Sequence, residues 1–176
     1  ARSNPLTWWW SMLTLVSVVN IALWLVVYRK FRAQPVSGMD LMLLLCAAYV
    51  FGCAFRSVLP RADVQRICLF DTWLSSVLVG RSVATVAEIC FVVQWTIILQ
   101  QLGALTGSDA VLNVAWIIVG LIVVAECCSW YAVLTTSFLY NAIENSLWAV
   151  AFFLVGIGLC RLLPEFHGTA LIVLVL

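Results

Sequence analysis

The stretch AVLNVAWIIVGLIVVAECCSWY, from Ala110 to Tyr131, decides the fold class of this chain. Its side chains are almost all apolar, and its single charged residue is Glu126. A helix that crosses the hydrocarbon core of a bilayer needs roughly 20 consecutive apolar residues, and this stretch meets that length. The run is continuously apolar instead of alternating, which is typical of a membrane helix and not of a barrel strand. The stretch therefore predicts one transmembrane helix.

The same pattern recurs along the rest of the chain and predicts a polytopic helical bundle. Proline, glycine and charged residues separate the apolar runs, and they mark the loops between helices. The chain is thus predicted to be all-α, with five complete transmembrane spans and the start of a sixth, in a single transmembrane domain over residues 1–176. The predicted spans are residues 7–28, 39–59, 82–102, 110–131 and 135–159, and the incomplete sixth span is 169–176.

Overall composition agrees with this class. Hydrophobic residues make up 65% of the chain and charged residues 10%. A typical soluble domain is about 45–50% apolar and about 25% charged, so lipid must be the solvent for much of this surface. The net charge is +1 and the sequence has no basic patch, which argues against nucleic acid as a partner. Membrane lipids and other transmembrane subunits are the expected partners, and the expected location is a membrane of unidentified type.

The apolar stretch from 72 to 102 is too long for one span perpendicular to the bilayer. We predict that it divides at Gly80 and Arg81, into an interfacial or strongly tilted lead-in followed by a span that begins at Ser82. Sidedness has little support in the sequence, because arginine and lysine are spread over both sides. The basic group after the first span favours a cytoplasmic position for the loops 29–38, 103–109 and 161–168.

Charged residues within the apolar spans are the main indication of a functional site. Counted from the predicted ends of the spans at a rise of 1.5 Å per residue, Glu88 lies about 10 Å deep, Glu126 about 8 Å and Glu144 about 13 Å. All three are counted from the same side of the bilayer. Arg56 and Arg81 lie near span ends on that side. The sequence therefore predicts an intramembrane polar cluster on three successive spans.

Helical spacing favours a common site for these groups. Arg81, Thr85 and Glu88 recur at steps of four and three, which places them on one face of the third span. On the fifth span, Asn141, Glu144 and Asn145 belong to a polar stripe. Lipid cannot satisfy such groups, so the stripe is expected to face the bundle interior or a wet cavity. The predicted binding residues are Glu88, Glu126, Glu144, Arg56, Arg81, Asn141 and Asn145.

The cluster supports either a functional or a structural interpretation. Three carboxylates at one depth repel each other unless they are protonated or paired, and Arg56 and Arg81 can each neutralise one of them. The remaining carboxylate could then carry a proton. Polar residues also hold membrane helices together through interhelical hydrogen bonds, and arginines near span ends extend toward headgroups. The sequence leaves both interpretations open.

Several classes of membrane protein lack the residues that their chemistry needs. The only lysine is Lys30 and the only histidine is His167, both in predicted loops, so retinal binding, helix-ligated haem and an intramembrane zinc site are disfavoured. No glycine-rich phosphate-binding loop is present. We predict no metal and no cofactor, and no catalytic residue can be assigned.

Three functions fit the remaining observations. The first is a small transporter, channel or proton-coupled carrier that uses the polar cluster as its site. The second is a non-catalytic membrane subunit or anchor, whose buried charges pair with helices of a larger complex. The third is an intramembrane enzyme that modifies a lipid, with a glutamate as acid or base and Arg56 or Arg81 on a phosphate headgroup. The sequence leans away from an enzyme without excluding one.

Overall fold

The structure is a computed structural model that describes residues 5–33 and 39–165. Within those residues, five helices are long and apolar enough to cross a membrane, which confirms the predicted all-α, polytopic class. The predicted sixth span, 169–176, lies outside the described residues, as do parts of the loops predicted at 29–38 and 161–168. The chain folds as two compact units, one that ends at Phe91 and one that begins at Val92. The interpretation as a single domain stays a prediction.

The first, third and fourth helices are longer than the apolar runs that predicted them, whereas the second and fifth are not. The five helices are α1 (Pro5–Ala33), α2 (Met39–Val58), α3 (Val77–Thr106), α4 (Asp109–Thr135) and α5 (Phe138–Leu162). Two short strands, β1 (Arg61–Ala62) and β2 (Ile67–Cys68), lie between α2 and α3. Short 3₁₀ turns occupy Trp73–Ser75 and Leu163–Glu165.

Two predicted loops are shorter than expected because helices continue past the apolar residues. α1 includes the basic residues Arg29 to Arg32, and α3 extends to Thr106. A helix satisfies its backbone groups internally in lipid and at the interface alike, so charged residues do not end it. α3 instead ends at Gly107, whose φ of +67° is a left-handed conformation that glycine adopts at little cost. The loop predicted at 103–109 therefore shrinks to two residues.

The third span begins earlier than the predicted break at Gly80 and Arg81. α3 starts at Val77 and passes through both residues without interruption. Before it, the Thr72 side chain accepts a hydrogen bond from the Ser75 backbone N–H at 3.3 Å and stabilises the 3₁₀ turn. Glycine inside a helix costs only about 1 kcal/mol, and Gly80 is buried, with the Arg61 side chain next to it. The low helix propensity of Gly80 is thus too small a cost to end the helix.

In the first unit, α1 and α2 pack as an antiparallel pair. The indole N–H of Trp10 donates to the Val58 carbonyl at 3.0 Å, and that of Trp24 donates to the Leu43 carbonyl at 3.2 Å. These bonds join the start of α1 to the end of α2, and the later part of α1 to the early part of α2. Both indole donors therefore have an acceptor in an environment where lipid offers none.

A β-hairpin follows α2, where the sequence indicated only a polar stretch. Pro60 ends the helix because proline has no N–H and its ring clashes with a preceding helical carbonyl. β1 and β2 then pair antiparallel, with Arg61 opposite Cys68, and the Leu69 N–H donates to the Pro60 carbonyl at 3.2 Å. Two strands this short are marginal alone, so their contacts with neighbouring helices must stabilise them.

A close contact between small residues joins α2 to the first half of α3. A Cβ added at Gly52 would lie only 2.7 Å from the Cβ of Ala87, so the two backbones approach closely at this point. Nearby, the rings of Tyr49 and Phe91 stack with centroids 4.7 Å apart. Helices in lipid associate through such close packing, because lipid tails are as apolar as the side chains they would replace.

The second unit is built on one face of α4 against α5 and the second half of α3. The buried positions of α4 recur at alternating steps of four and three, the spacing of a left-handed helix pair. The core of this unit contains Val92, Leu99, Val111, Ala115, Ile118, Ile122, Ala151, Val155 and Leu162. Gly158 of α5 allows Leu99 to approach, since an added Cβ would lie 3.4 Å from its Cδ2. The unit is therefore a tightly packed set of apolar helices.

We expect Gly52→Ala to destabilise the protein, although alanine is the better helix former. The new methyl would meet the Ala87 Cβ, which is fixed to its own backbone, so the helices must separate, at a cost of about 1–3 kcal/mol. The midpoint of unfolding of the purified protein in detergent measures this cost.

Gly120→Ala is the matched control for this change. Among the described residues, none brings an atom within 4 Å of a Cβ at Gly120, apart from its own helix. This variant should keep or gain stability, by up to about 1 kcal/mol from helix propensity. Equal stability of Gly52→Ala and Gly120→Ala would show that the Gly52–Ala87 approach does not hold α2 to α3.

Candidate functional site: charged groups within the apolar helices

A buried ion pair lies within α3. The Arg81 Nη2 atom is 3.0 Å from Glu88 Oε2, and Arg81 Nε donates to the Thr85 hydroxyl at 3.3 Å. The three residues lie at steps of four and three along one helix, so the helix itself positions them. The structure thus brings together the three residues that the sequence placed on one face.

Exposure differs between the two partners of this pair. The Arg81 side chain is 5% exposed, whereas that of Glu88 is 28% exposed. A buried guanidinium without a carboxylate would carry a large desolvation cost, so Glu88 is needed to stabilise Arg81. The carboxylate, in contrast, keeps part of its surface accessible. The pair is therefore neutral overall, and the acid is its accessible member.

Glu88 lies deeper along its helix than expected, because α3 begins at Val77. At 1.5 Å per residue, Glu88 is about 16 Å from the start of α3. Glu126 is about 14 Å from the end of α4, and Glu144 is about 9 Å from the start of α5. Each distance is measured along its own helix, and a common depth for the three carboxylates stays a prediction.

Arg56 has a partner that the sequence did not indicate. Its Nη1 atom is 3.1 Å from Oδ2 of Asp63, in the hairpin turn. Arg61 Nε lies 3.4 Å from the other carboxylate oxygen of Asp63, and an Nη atom of Arg61 donates to the Ser75 carbonyl. Asp63 thus bridges two arginines. The expected neutralisation of a glutamate by Arg56 is replaced by this contact, because the hairpin returns Asp63 to the end of α2.

No periodic pattern could have placed Asp63 beside Arg56. Helical spacing relates residues within one helix, and Pro60 ends α2 before Asp63 is reached. The only signal was the density of charge after Pro60, where Arg61, Asp63 and Arg66 lie close together in sequence. Such a run is usually solvated loop, and here it forms a hairpin that carries a bridging carboxylate.

The predicted site residues of the second unit lie on α4 and α5. Glu126 is buried, at 5% exposure, and Asn141 and Glu144 are half-buried. Asn145 is exposed, and its side-chain NH₂ donates to the Asn141 carbonyl at 2.7 Å. The polar stripe of α5 was expected to face the bundle interior or a wet cavity, and this orientation stays a prediction. Asn145 is the exposed member of the three residues. It lies one residue beyond Glu144, which turns it about 100° around the helix from its half-buried neighbour.

The three predicted acids all have contacts. Glu88, Glu126 and Glu144 each take part in at least one polar, ring or electrostatic contact. Over residues 5–33 and 39–165, histidine, cysteine, aspartate and glutamate form no group of three or more that could hold a metal ion. One of these acids, Glu88, pairs its charge with an arginine.

Comparisons with known protein families, with curated proteins and with solved structures found no match for this chain. The class established by the fold is a polytopic α-helical membrane protein.

Removing one member of the Arg81–Glu88 pair should destabilise the protein more than expected from the loss measured when both members are removed together. We expect Glu88→Leu to cost about 3–5 kcal/mol, because it leaves the buried Arg81 uncompensated. Arg81→Met should cost less, because the carboxylate that remains is partly exposed. The double variant should lose less than the sum of the two, with a coupling of about 0.5–3 kcal/mol. The unfolding midpoints of the wild-type protein, the two single variants and the double variant, measured in detergent, complete this double-mutant cycle.

Ser82→Ala, at an exposed position of the same helix, should leave the unfolding midpoint unchanged. Strict additivity of the two single changes would mean that the short Arg81–Glu88 distance contributes nothing to folding.

Proposed function

We propose that the protein is a small carrier or channel in which a proton passes Glu88. The observation that carries this proposal is the exposure difference in the α3 ion pair, where Arg81 is buried and Glu88 remains accessible. A carboxylate of this kind can exchange its bond to arginine for a bond to a proton. Ionisable groups inside membrane helices line transport paths in many proteins, because their burial is otherwise costly.

Two further acids support the proposal. Glu126 is buried on α4 and Glu144 is half-buried on α5, so both lie in helices where lipid would oppose a charge. Relays of acidic residues are a common way to move protons through a membrane helix bundle. We include Arg56, Asn141 and Asn145 as secondary residues of the path.

For orientation, we propose that the loops after α1, α3 and α5 are cytoplasmic. The support is the basic group Arg29, Lys30 and Arg32 at the end of α1, since positive charge favours the cytoplasmic side. Accessibility of a cysteine introduced at Gly107 to a membrane-impermeant thiol reagent, in a variant without the natural cysteines, reports the side directly.

Asn145 favours a second candidate, a subunit of a larger membrane complex. Its amide is exposed about 10 Å from the start of α5, a depth where lipid cannot accept or donate hydrogen bonds. The Asn145 NH₂ already donates to the Asn141 carbonyl, so a partner helix would bond the remaining exposed groups of the amide, as amide side chains do across membrane helices. An obligate subunit should aggregate when purified alone in detergent, whereas a self-sufficient carrier should remain monodisperse.

A flux assay tests the first proposal. The purified protein is placed in liposomes that contain a pH-sensitive dye, and potassium with valinomycin imposes an inside-negative potential. We expect proton uptake several times faster than in protein-free liposomes. Glu88→Gln should reduce the rate to that of protein-free liposomes, because the amide cannot exchange a proton.

Glu165→Gln is the matched control, since Glu165 is exposed and lies beyond the end of α5. It makes the same chemical change and should keep the full rate. Uptake that equals the protein-free rate in the wild-type protein, or that survives Glu88→Gln, would overturn the proposal. The unfolding midpoint of each variant separates loss of flux from loss of structure.

A further inference from the structure

A cavity of about 540 Å³ lies in the first unit between the start of α1, the end of α2 and the hairpin. Its volume falls in the range of about 300–1,000 Å³ that is typical of small-molecule sites. Leu6, Trp9 and Leu13 contribute one wall from α1. Arg56 of α2 and Arg61 of the hairpin contribute charge, and we call these two residues the cationic wall. The cavity therefore combines an apolar lining from α1 with two cations.

The cationic wall is held in place by Asp63. This carboxylate is only 10% exposed and contacts both arginines, at 3.1 Å for Arg56 and 3.4 Å for Arg61. The Arg61 side chain is 11% exposed and donates to the Ser75 carbonyl. Arg56 is 33% exposed and is thus the accessible cation. Two guanidinium groups and one carboxylate leave a net charge of +1 on this wall.

The position of the cavity along the helices points to the membrane interface. It lies where α1 begins, where α2 ends and where Pro60 turns the chain into the hairpin. Trp9 lines it and Trp10 lies beside it, bonded to Val58. Tryptophan favours the headgroup level, where its ring is in apolar surroundings and its N–H can find a polar partner.

We propose that this cavity binds a phospholipid of net negative charge through its phosphate. Arg56 contacts the phosphate, because a guanidinium donates two parallel hydrogen bonds to phosphate oxygens. Asp63 and Arg61 are positioning residues that keep Arg56 against the cavity. The acyl chains lie along Leu6, Trp9 and Leu13. A zwitterionic lipid fits less well, since its own cation would lie close to a wall that already carries an excess positive charge.

This site is distinct from the Arg81–Glu88 pair of the proposed flux, and the two proposals share only Arg56, a secondary residue of the path. It depends on α1, α2 and the hairpin, and none of its residues belongs to the Arg81–Glu88 pair. An arginine that merely extends to headgroups would bind anionic lipid without selectivity for position. Because Asp63 fixes the position of Arg56, we instead expect the affinity for anionic lipid to depend more on Arg56 than on other arginines near the membrane surface.

Lipid titration of the purified protein in detergent tests the proposal. Native mass spectrometry or a thermal shift measures binding of a short-chain phosphatidylglycerol and of the matching phosphatidylcholine. We expect the anionic lipid to bind more tightly, and Arg56→Gln to weaken it about tenfold, as loss of a charged hydrogen bond implies. Ala62→Trp fills the cavity without changing charge and should weaken binding as well.

Arg32→Gln is the matched control, because it removes the same charge at the other end of α1. It should leave the affinity unchanged. The proposal is overturned if Arg32→Gln weakens binding as much as Arg56→Gln, or if Ala62→Trp has no effect while its unfolding midpoint is unaltered. Displacement of the lipid by soluble glycerol phosphate at equal concentration would also overturn it, since it would show that the acyl chains contribute nothing.

Discussion

In lipid, every polar group must find its partner within the protein, and this constraint shapes both units of the chain. The backbone meets it by forming helices, which is why the described residues contain five helices of membrane-spanning length. Polar side chains satisfy the same constraint by bonding to nearby groups. Serine and threonine hydroxyls bond carbonyls of the preceding turn, as Ser17 does with Leu13 and Thr96 with Val92. Charged side chains have no such simple solution and must pair.

The two sets of arginine contacts solve this problem in different ways. Arg81 finds Glu88 on its own helix, so the pair forms as soon as α3 does and needs no other element to define it. Arg56 and Arg61 find Asp63 across a chain reversal, so their contact exists only when the hairpin is folded against α2. The first is a local feature of sequence, and the second is a tertiary one.

This difference explains how much of the fold and of the site could be predicted from the sequence. Five apolar runs predicted five helices, because hydropathy and length alone define a membrane span. The spacing of Arg81 and Glu88 predicted a shared face. The hairpin could not be predicted, since strands this short carry no periodicity, and the Asp63 bridge depends on it. The exposed position of Asn145 was not predicted either. The sequence grouped Asn145 with Glu144, but consecutive residues of a helix point about 100° apart.

Helix ends were the least predictable feature, for a physical reason that bears on the candidate site. Hydropathy reports where side chains leave the hydrocarbon, but helical hydrogen bonding continues into the interface. The start of α3 at Val77 places Glu88 farther from the helix end than the apolar run suggested. A charged side chain far from both ends of an apolar helix is costly without a partner, so the contact between Glu88 and the buried Arg81 becomes more important. The position of Glu88 along α3 and its contact with Arg81 thus belong to one arrangement, in which each charged group is the partner that the other needs.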